Sequence, residues 1–247
     1  MPNITTPLTS KEFVKRLKKH SSAEGIQKSQ RYFKTGRGEY GAGDKFIGVP
    51  MGQIFSLAKE FIEMPLSEIE KLLESPIHEV RAGALSIMGQ RSRRKKTSDA
   101  QRKELYDLYL KRHDRVNNWD LVDLGALYVV GIYLTDKPRE ILYQLAHSNN
   151  IWERRTAMVA TGQLIKKGEL TDTFAIAKIL LQDKEDLIHK ATGWMLRSAG
   201  DRDSAALAVF LDQHAATMPR TALRYSIEKL GQKQKAHYMS LKSSKKK

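Results

Sequence analysis

Apolar residues recur along this chain at helical spacing. Ile54, Leu57, Ala58, Phe61 and Ile62 share one side of a helix, and similar stripes follow one another through most of the sequence. Alternating, strand-like patterns are almost absent. Helix punctuation agrees with this. Thr9 precedes Glu12 by three residues and Ser67 precedes Glu70 by three, the spacing of capping boxes, while Ser75 is followed by Pro76, which suits a first helical position. Gly168, Gly200 and Gly231 each follow a helical stretch and are expected to close helices in the left-handed conformation. The pattern predicts an all-α fold of about ten or more helices joined by short loops, arranged as stacked antiparallel helix pairs.

An internal repeat sharpens that expectation. The segments Glu79-Val80-Arg81-Ala82-Gly83-Ala84, Glu153-Arg154-Arg155-Thr156-Ala157-Met158 and Ile188-His189-Lys190-Ala191-Thr192-Gly193 superpose, and Asn118-Trp119-Asp120 matches Ile151-Trp152-Glu153 less closely. Anchored on Arg81, Val122, Arg155 and Lys190, the spacings are 41, 33 and 35 residues. Such a period is at or below the length of two-helix HEAT-like units, whose stacking produces a curved superhelix with a continuous core and a concave face. The small residues after the basic positions are expected to let helices approach closely.

At 247 residues with 40% hydrophobic content, the chain can bury one sizeable core. The expected organisation is one domain over residues 1–239, with residues 240–247 as a basic disordered tail. Lys and Arg number 43 against 28 Asp and Glu, a net charge of +15, so a polyanion is the expected partner. Removing the four lysines between Lys242 and Lys247 leaves +11, which places the basic character in the folded part. Arg91, Arg93, Arg94, Lys95 and Lys96 form a second cluster between two helical patterns. Spacing is equally compatible with a solvated loop and with a phosphate clamp there.

The absence of cysteine excludes disulfides, thiolate metal sites and cysteine nucleophiles, and fits a reducing cytoplasm. Residues 1–10 show no secretory signal pattern, and the longest apolar run, Leu124 to Leu134, is 11 residues against the ~20 that span a bilayer. The seven histidines have no ligand-like spacing, so neither metal nor cofactor is expected. The Gly-rich segment Lys34 to Asp44 lacks the ending of a phosphate-binding loop and no strand precedes it. It reads as a turn-rich connection whose Lys34, Arg37 and neighbouring Lys45 offer secondary phosphate contacts.

Candidate chemistry gathers around Asn117-Asn118-Trp119-Asp120-Leu121-Val122-Asp123. Four residues apart, Trp119 and Asp123 share a helix face. Asp120 fits a first-turn charge that interacts with the helix dipole. Asp123 lies deeper, against the apolar run, where a carboxylate needs a cleft or a partner. Two other helices repeat the theme: Trp152 with Arg155, and Lys190 with Trp194 and Arg197 at i, i+4 and i+7. Aromatics interleaved with cations suit contact with bases, sugars and phosphates.

In this order and at this separation, Asn-Trp-Asp-Leu-Val-Asp, Asn-Ile-Trp-Glu-Arg-Arg-Thr-Ala and His-Lys-Ala-Thr-Gly-Trp-Met-Leu-Arg resemble the signature segments of AlkD-type DNA alkylation repair proteins. The resemblance runs from about Tyr32 to about Leu230. It implies HEAT-like repeats with duplex DNA on the concave face of a monomer, and excision of alkylated bases. By residue-wise match, Trp119 and Asp123 correspond to the catalytic tryptophan and aspartate, and Trp194 to a second cleft tryptophan. Arg155 corresponds to a backbone-binding arginine, with Arg197 as a further phosphate contact. Lys190, Trp152 and Arg154, with Arg93 and Arg94 of the basic cluster, complete the candidate DNA-contacting set.

One departure is evident: the best-known family pattern has two adjacent tryptophans before the aspartate, whereas here Asn118 precedes Trp119. The implied chemistry is sparse. Alkylation at N3 or N7 makes a purine cationic and a neutral leaving group, so one carboxylate that stabilises the oxocarbenium-like sugar suffices. The resemblance also implies a shallow cleft rather than a deep base-flipping pocket. Some relatives bind DNA without excising bases, which makes a non-catalytic binder of distorted or branched DNA the alternative. A helical-repeat scaffold for proteins is a further one.

Overall fold

The structure, a computed structural model, describes residues 7–241. The chain divides into two compact units, Met1–Tyr133 and Leu134–Lys247. The lysine-rich stretch from Lys242 onward lies outside the described residues, and Ser240 closes the last helix.

In the first unit, α1 (Ser10–Lys18), α2 (Ala23–Tyr32), α3 (Met51–Glu60) and α4 (Leu66–Leu73) precede α5 (His78–Arg93) and α6 (Asp99–Lys111). A single helical run then comprises α7 (Trp119–Gly125), a π-helical turn (Ala126–Val130) and α8 (Gly131–Tyr133). Helix α5 is central and packs against α3, α4 and α7. It is buried almost all round, through Val80, Ala82, Ala84, Leu85, Ile87 and Met88, which is why it lacks a one-sided apolar stripe. A Cβ on Gly83 would lie 2.5 Å from the Phe13 ring, so only glycine lets α1 seat against α5 here.

The second unit runs through α9 (Glu140–Ala146), α10 (Ile151–Ala160), α11 (Gly162–Lys167) and α12 (Thr171–Leu180) to α13 (Asp186–Arg202). It continues with α14 (Ser204–His214), α15 (Arg220–Ser226) and α16 (Gln232–Ser240). Helix α13 is the hub, packed against α10, α12, α14 and α15. At Gly193 an added Cβ would stand 2.4 Å from Tyr225 Cβ and 2.5 Å from the Ala222 carbonyl, the close approach expected of small residues after a basic anchor.

The repeat is visible in the elements. Arg81, Val122, Arg155 and Lys190 fall at the fourth or fifth residue of α5, α7, α10 and α13. Those repeat helices are neighbours within their units, α5 against α7 and α10 against α13. The all-helical HEAT-like fold class stands. Among the described residues the only strand-like pairing is one parallel bridge, Lys45 to Ile77. No described helix is long and apolar enough to cross a membrane.

Several boundary expectations hold and others need correction. Thr9 accepts from the Glu12 amide at 3.2 Å, and Gly168 closes α11 at φ 83°. Pro65, not Ser67, caps α4, and α5 opens at His78 rather than Pro76. The reason in the second case is local: Ser75 Oγ accepts the Ile77 amide at 3.1 Å and holds Pro76 in a turn outside the helix. Gly200 lies inside α13, where a Cβ would meet Leu207 Cδ2 at 2.3 Å, so it serves close packing with α14. Gly231 is extended, at φ −63° and ψ 155°, and opens α16 instead of ending α15. Arg91 and Arg93 belong to the last turn of α5, so only Arg94 to Lys96 sit between helices.

Candidate functional site

Helix α7 begins because Asn118, extended at φ −152° and ψ 157°, accepts the Trp119 amide on its side-chain oxygen at 2.8 Å. Trp119 and Asp123 therefore lie on successive turns of one helix, as expected, and both are half-buried. The π-helical turn starts three residues after Asp123; such widened turns concentrate at functional sites. The Trp119 ring stands 5.6 Å from exposed Tyr32, edge to face, and 5.7 Å from Phe33. Phe33 in turn stacks on Phe46 at 5.3 Å and tilts against His78 at 4.7 Å.

Two cavities flank this region. One of about 650 Å³ is lined by Lys28, Arg31, Tyr32, Phe33, Phe46 and His78. Another, of about 410 Å³, runs along α5 and the π turn past Phe55, Lys59, Gln90, Arg93, Leu124 and Tyr128. There the Arg93 guanidinium lies 4.3 Å from the Tyr128 ring centre, a cation–π contact.

Beneath α7 lies a buried charge cluster that the sequence did not reveal. His78 Nε2 meets Asp120 Oδ2 at 2.8 Å, and His78 Nδ1 meets Asp44 Oδ2 at 3.3 Å. Arg81 donates to Asp44 Oδ1 at 2.7 Å, to the Asn117 side-chain oxygen at 3.0 Å and to the Ser75 carbonyl at 2.9 Å. The amides of Asn117 and Asn118 donate to Asp44 at 3.0 and 3.1 Å. Burial works against the charge on His78, but Asp120 and then Asp44 outweigh it and raise its pKa to about 9. Burial also opposes ionisation of Asp44, yet bonding to His78, the Arg81 charge and the two asparagine amides hold its carboxyl far below the usual range.

The expected ranking of the two carboxylates is thus reversed. Asp120, expected as a first-turn charge at the helix dipole, is buried against His78, while Asp123 is the less buried of the two. The helix period explains this: Asp120 sits one residue after Trp119 and turns to the α5 side, where His78 opens its helix.

In the second unit, Lys190, Trp194 and Arg197 lie along α13. Lys190 pairs with Asp186 at 2.8 Å and Arg197 with Glu228. Trp194 is half-buried, and its carbonyl accepts from Ser198 Oγ at 3.0 Å. On α10, Trp152 is buried and Arg154 grips Asp183 at 2.5 Å and the Ser148 carbonyl at 2.9 Å. Arg155 is buried as well and donates to the Leu187 carbonyl at 2.6 Å, tying α10 to the first turn of α13. In the basic cluster of the first unit, Arg94 pairs with Glu63, Lys96 reaches the same carboxylate at 3.0 Å, and Arg93 also donates to the Gly89 carbonyl at 3.2 Å. Lys34, Arg37 and Lys45 are exposed.

Fold and side chains together define a class: an all-helical repeat protein with a tryptophan and a carboxylate one turn apart on one repeat helix, and tryptophan with cations on another. A family model described as DNA alkylation repair enzyme matches residues 13–230, and the chain belongs to that family. Membership gives it a role in DNA alkylation repair. A solved structure of a predicted DNA alkylation repair enzyme from Enterococcus faecalis has the same fold, at TM-score 0.67 and 19% identity, over 86% of this chain and 98% of that one. No curated protein matches the sequence.

Proposed function

We propose that the protein is a DNA glycosylase that releases cationic alkylated purines, 3-methyladenine and 7-methylguanine, from duplex DNA. The observation that carries this reading is the pairing of Trp119 and Asp123 on successive turns of α7, with the adjacent Asp120 turned away to His78. One carboxylate on the tryptophan face is the minimum that the chemistry requires. The bond between deoxyribose C1′ and the purine nitrogen breaks with its electron pair going to the base, which leaves neutral. Asp123 stabilises the cationic sugar electrostatically. Water then adds to C1′ and gives up its proton, and an abasic site remains. Trp119 holds the lesion by CH and cation–π contacts worth roughly 0.5 to 2 kcal/mol.

Trp194, Lys190 and Arg197 act as aromatic and phosphate contacts to DNA, with Arg154, Arg93 and Arg94 as supporting contacts, while Trp152, buried on α10, supports its helix from within. Arg155 contributes by fixing the start of α13 as well as by any backbone contact. The test is purified protein incubated with methylated duplex in the presence of EDTA, with released bases separated by chromatography. Free 3-methyladenine and 7-methylguanine are expected. Duplex binding without base release overturns the glycosylase reading and leaves a non-catalytic DNA binder.

A further inference from the structure

The Gly-rich stretch that joins α2 to α3 has no part in the proposed chemistry, yet its last residue reaches the site helix. Gly38 and Gly43 adopt φ of 81° and 88°, which side chains rarely tolerate, and the turns they permit bring Asp44 into the interior with only 4% of its side chain exposed. There both carboxylate oxygens are surrounded by donors from Arg81, Asn117, Asn118 and His78.

The bond to Asn118 has a specific consequence. A side-chain amide has one donor end and one acceptor end. With Asn118 Nδ2 directed at Asp44 Oδ2 at 3.1 Å, its Oδ1 is left to face the Trp119 amide, which it meets at 2.8 Å. Asp44 thus selects the orientation of the residue that caps α7. On the other side, His78 is held by Asp44 and itself holds Asp120, the second residue of that helix. Asn118 occupies the position where the best-known family pattern has a tryptophan, so this arrangement belongs to the chain's own residues.

We propose that Asp44 is a positioning residue for the site: through Asn118, and through His78 and Asp120, it fixes the first turn of α7 and so the placement of Trp119 relative to Asp123. The proposal rests on Trp119 and Asp123 being the working pair. Asp44 itself touches neither lesion nor phosphate. Its loss is therefore expected in the rate of the chemical step, with DNA affinity retained.

The test uses the full chain labelled with 5-fluorotryptophan, whose three tryptophans yield three fluorine resonances. Asp44→Asn replaces an acceptor oxygen by a donor that confronts other donors, and Asn118→Ala removes the cap. In both, the Trp119 resonance is expected to shift or broaden while those of Trp152 and Trp194 stay in place. Single-turnover base release is expected to fall by about tenfold or more, with duplex affinity within about twofold of wild type. Leu72→Ala, a buried truncation in α4, is the control for stability alone. It should lower the melting temperature without moving the Trp119 resonance or the release rate. A wild-type Trp119 resonance in Asp44→Asn overturns the proposal, as does Leu72→Ala reproducing both changes. If Asp44→Asn does not fold, Asn118→Ala decides by the same readouts. If the wild-type chain releases no base, the glycosylase reading fails while the resonances still decide whether Asp44 positions Trp119.

Discussion

The start of α7 in the first unit and the middle of α13 in the second each set a tryptophan among charges, but they are built differently. Around α7 the charges are internal: the side chains of His78, Asp44 and Asp120 are 2%, 4% and 10% exposed, and each bonds to at least one other. Around α13 the pairs are more open. Lys190 and Asp186 are 41% and 58% exposed, and Arg197, itself 21% exposed, pairs with a Glu228 that is 60% exposed. A buried network resists rearrangement because removing any one partner strands the others in low dielectric, whereas an exposed pair is worth 0 to about 1 kcal/mol and exchanges partners at little cost. The buried network of the first unit holds one geometry, whereas the looser pairs of the second can exchange partners, as the proposed phosphate contacts require.

The largest effect that separates the two regions comes from pH. The folded pKa of His78, about 9, lies above the 6.5 of an unfolded histidine. Its contribution, on the order of 3 kcal/mol, is therefore present below about pH 6.5 and is lost as pH rises through about 9. Asp44, held low, behaves in the opposite sense: its contribution is present above about pH 4 and is lost only in strong acid. The groups facing His78 that set this window are Asp120 and Asp44. Calorimetry is expected to show the first unit melting earlier at pH 9.5 than at pH 7. His78→Gln should remove that alkaline loss, and a flat profile for the wild-type chain would contradict the buried ion triad.

A smaller effect is expected in the second unit. Lys190→Ala should cost under about 1 kcal/mol of stability, as exposed pairs do, and Arg197→Ala, at a half-buried arginine with an exposed partner, about 1 kcal/mol. Each should also reduce the slope of log affinity against log salt by about one, since one phosphate contact is lost. Unchanged salt slopes in both variants would remove these two cations from the DNA contact.

Much of the architecture could be read from the chain because helices announce themselves locally. The apolar stripes, the Thr9 cap, the Gly168 terminus and the repeat anchored on Arg81, Val122, Arg155 and Lys190 all depend on spacing, and spacing survives in one dimension. Helix starts were missed where a loop turn competed with the cap, as at Ser75 and Pro76. The pairing of Trp119 and Asp123 on one face was legible for the same reason of period. The buried cluster was not: Asp44, His78 and Asp120 are separated by 34 and 42 residues and meet only through tertiary packing. Its one sequence trace was a Gly-rich turn that ends in a carboxylate. Arg155 shows a further limit, since a basic residue after an aromatic reads as a surface cation, yet here it is buried on the Leu187 carbonyl.

The central claim is that Asp123 performs chemistry while the α13 cations hold DNA, and single-turnover release of 3-methyladenine and 7-methylguanine under saturating enzyme measures it directly. Asp123→Asn keeps the shape of the side chain and deletes its charge. Release is expected to slow by about a hundredfold or more, roughly 3 kcal/mol, with duplex affinity unchanged or raised. Arg197→Ala, measured alongside, is expected to weaken binding and leave the saturated rate near wild type. Wild-type release by Asp123→Asn would contradict the account.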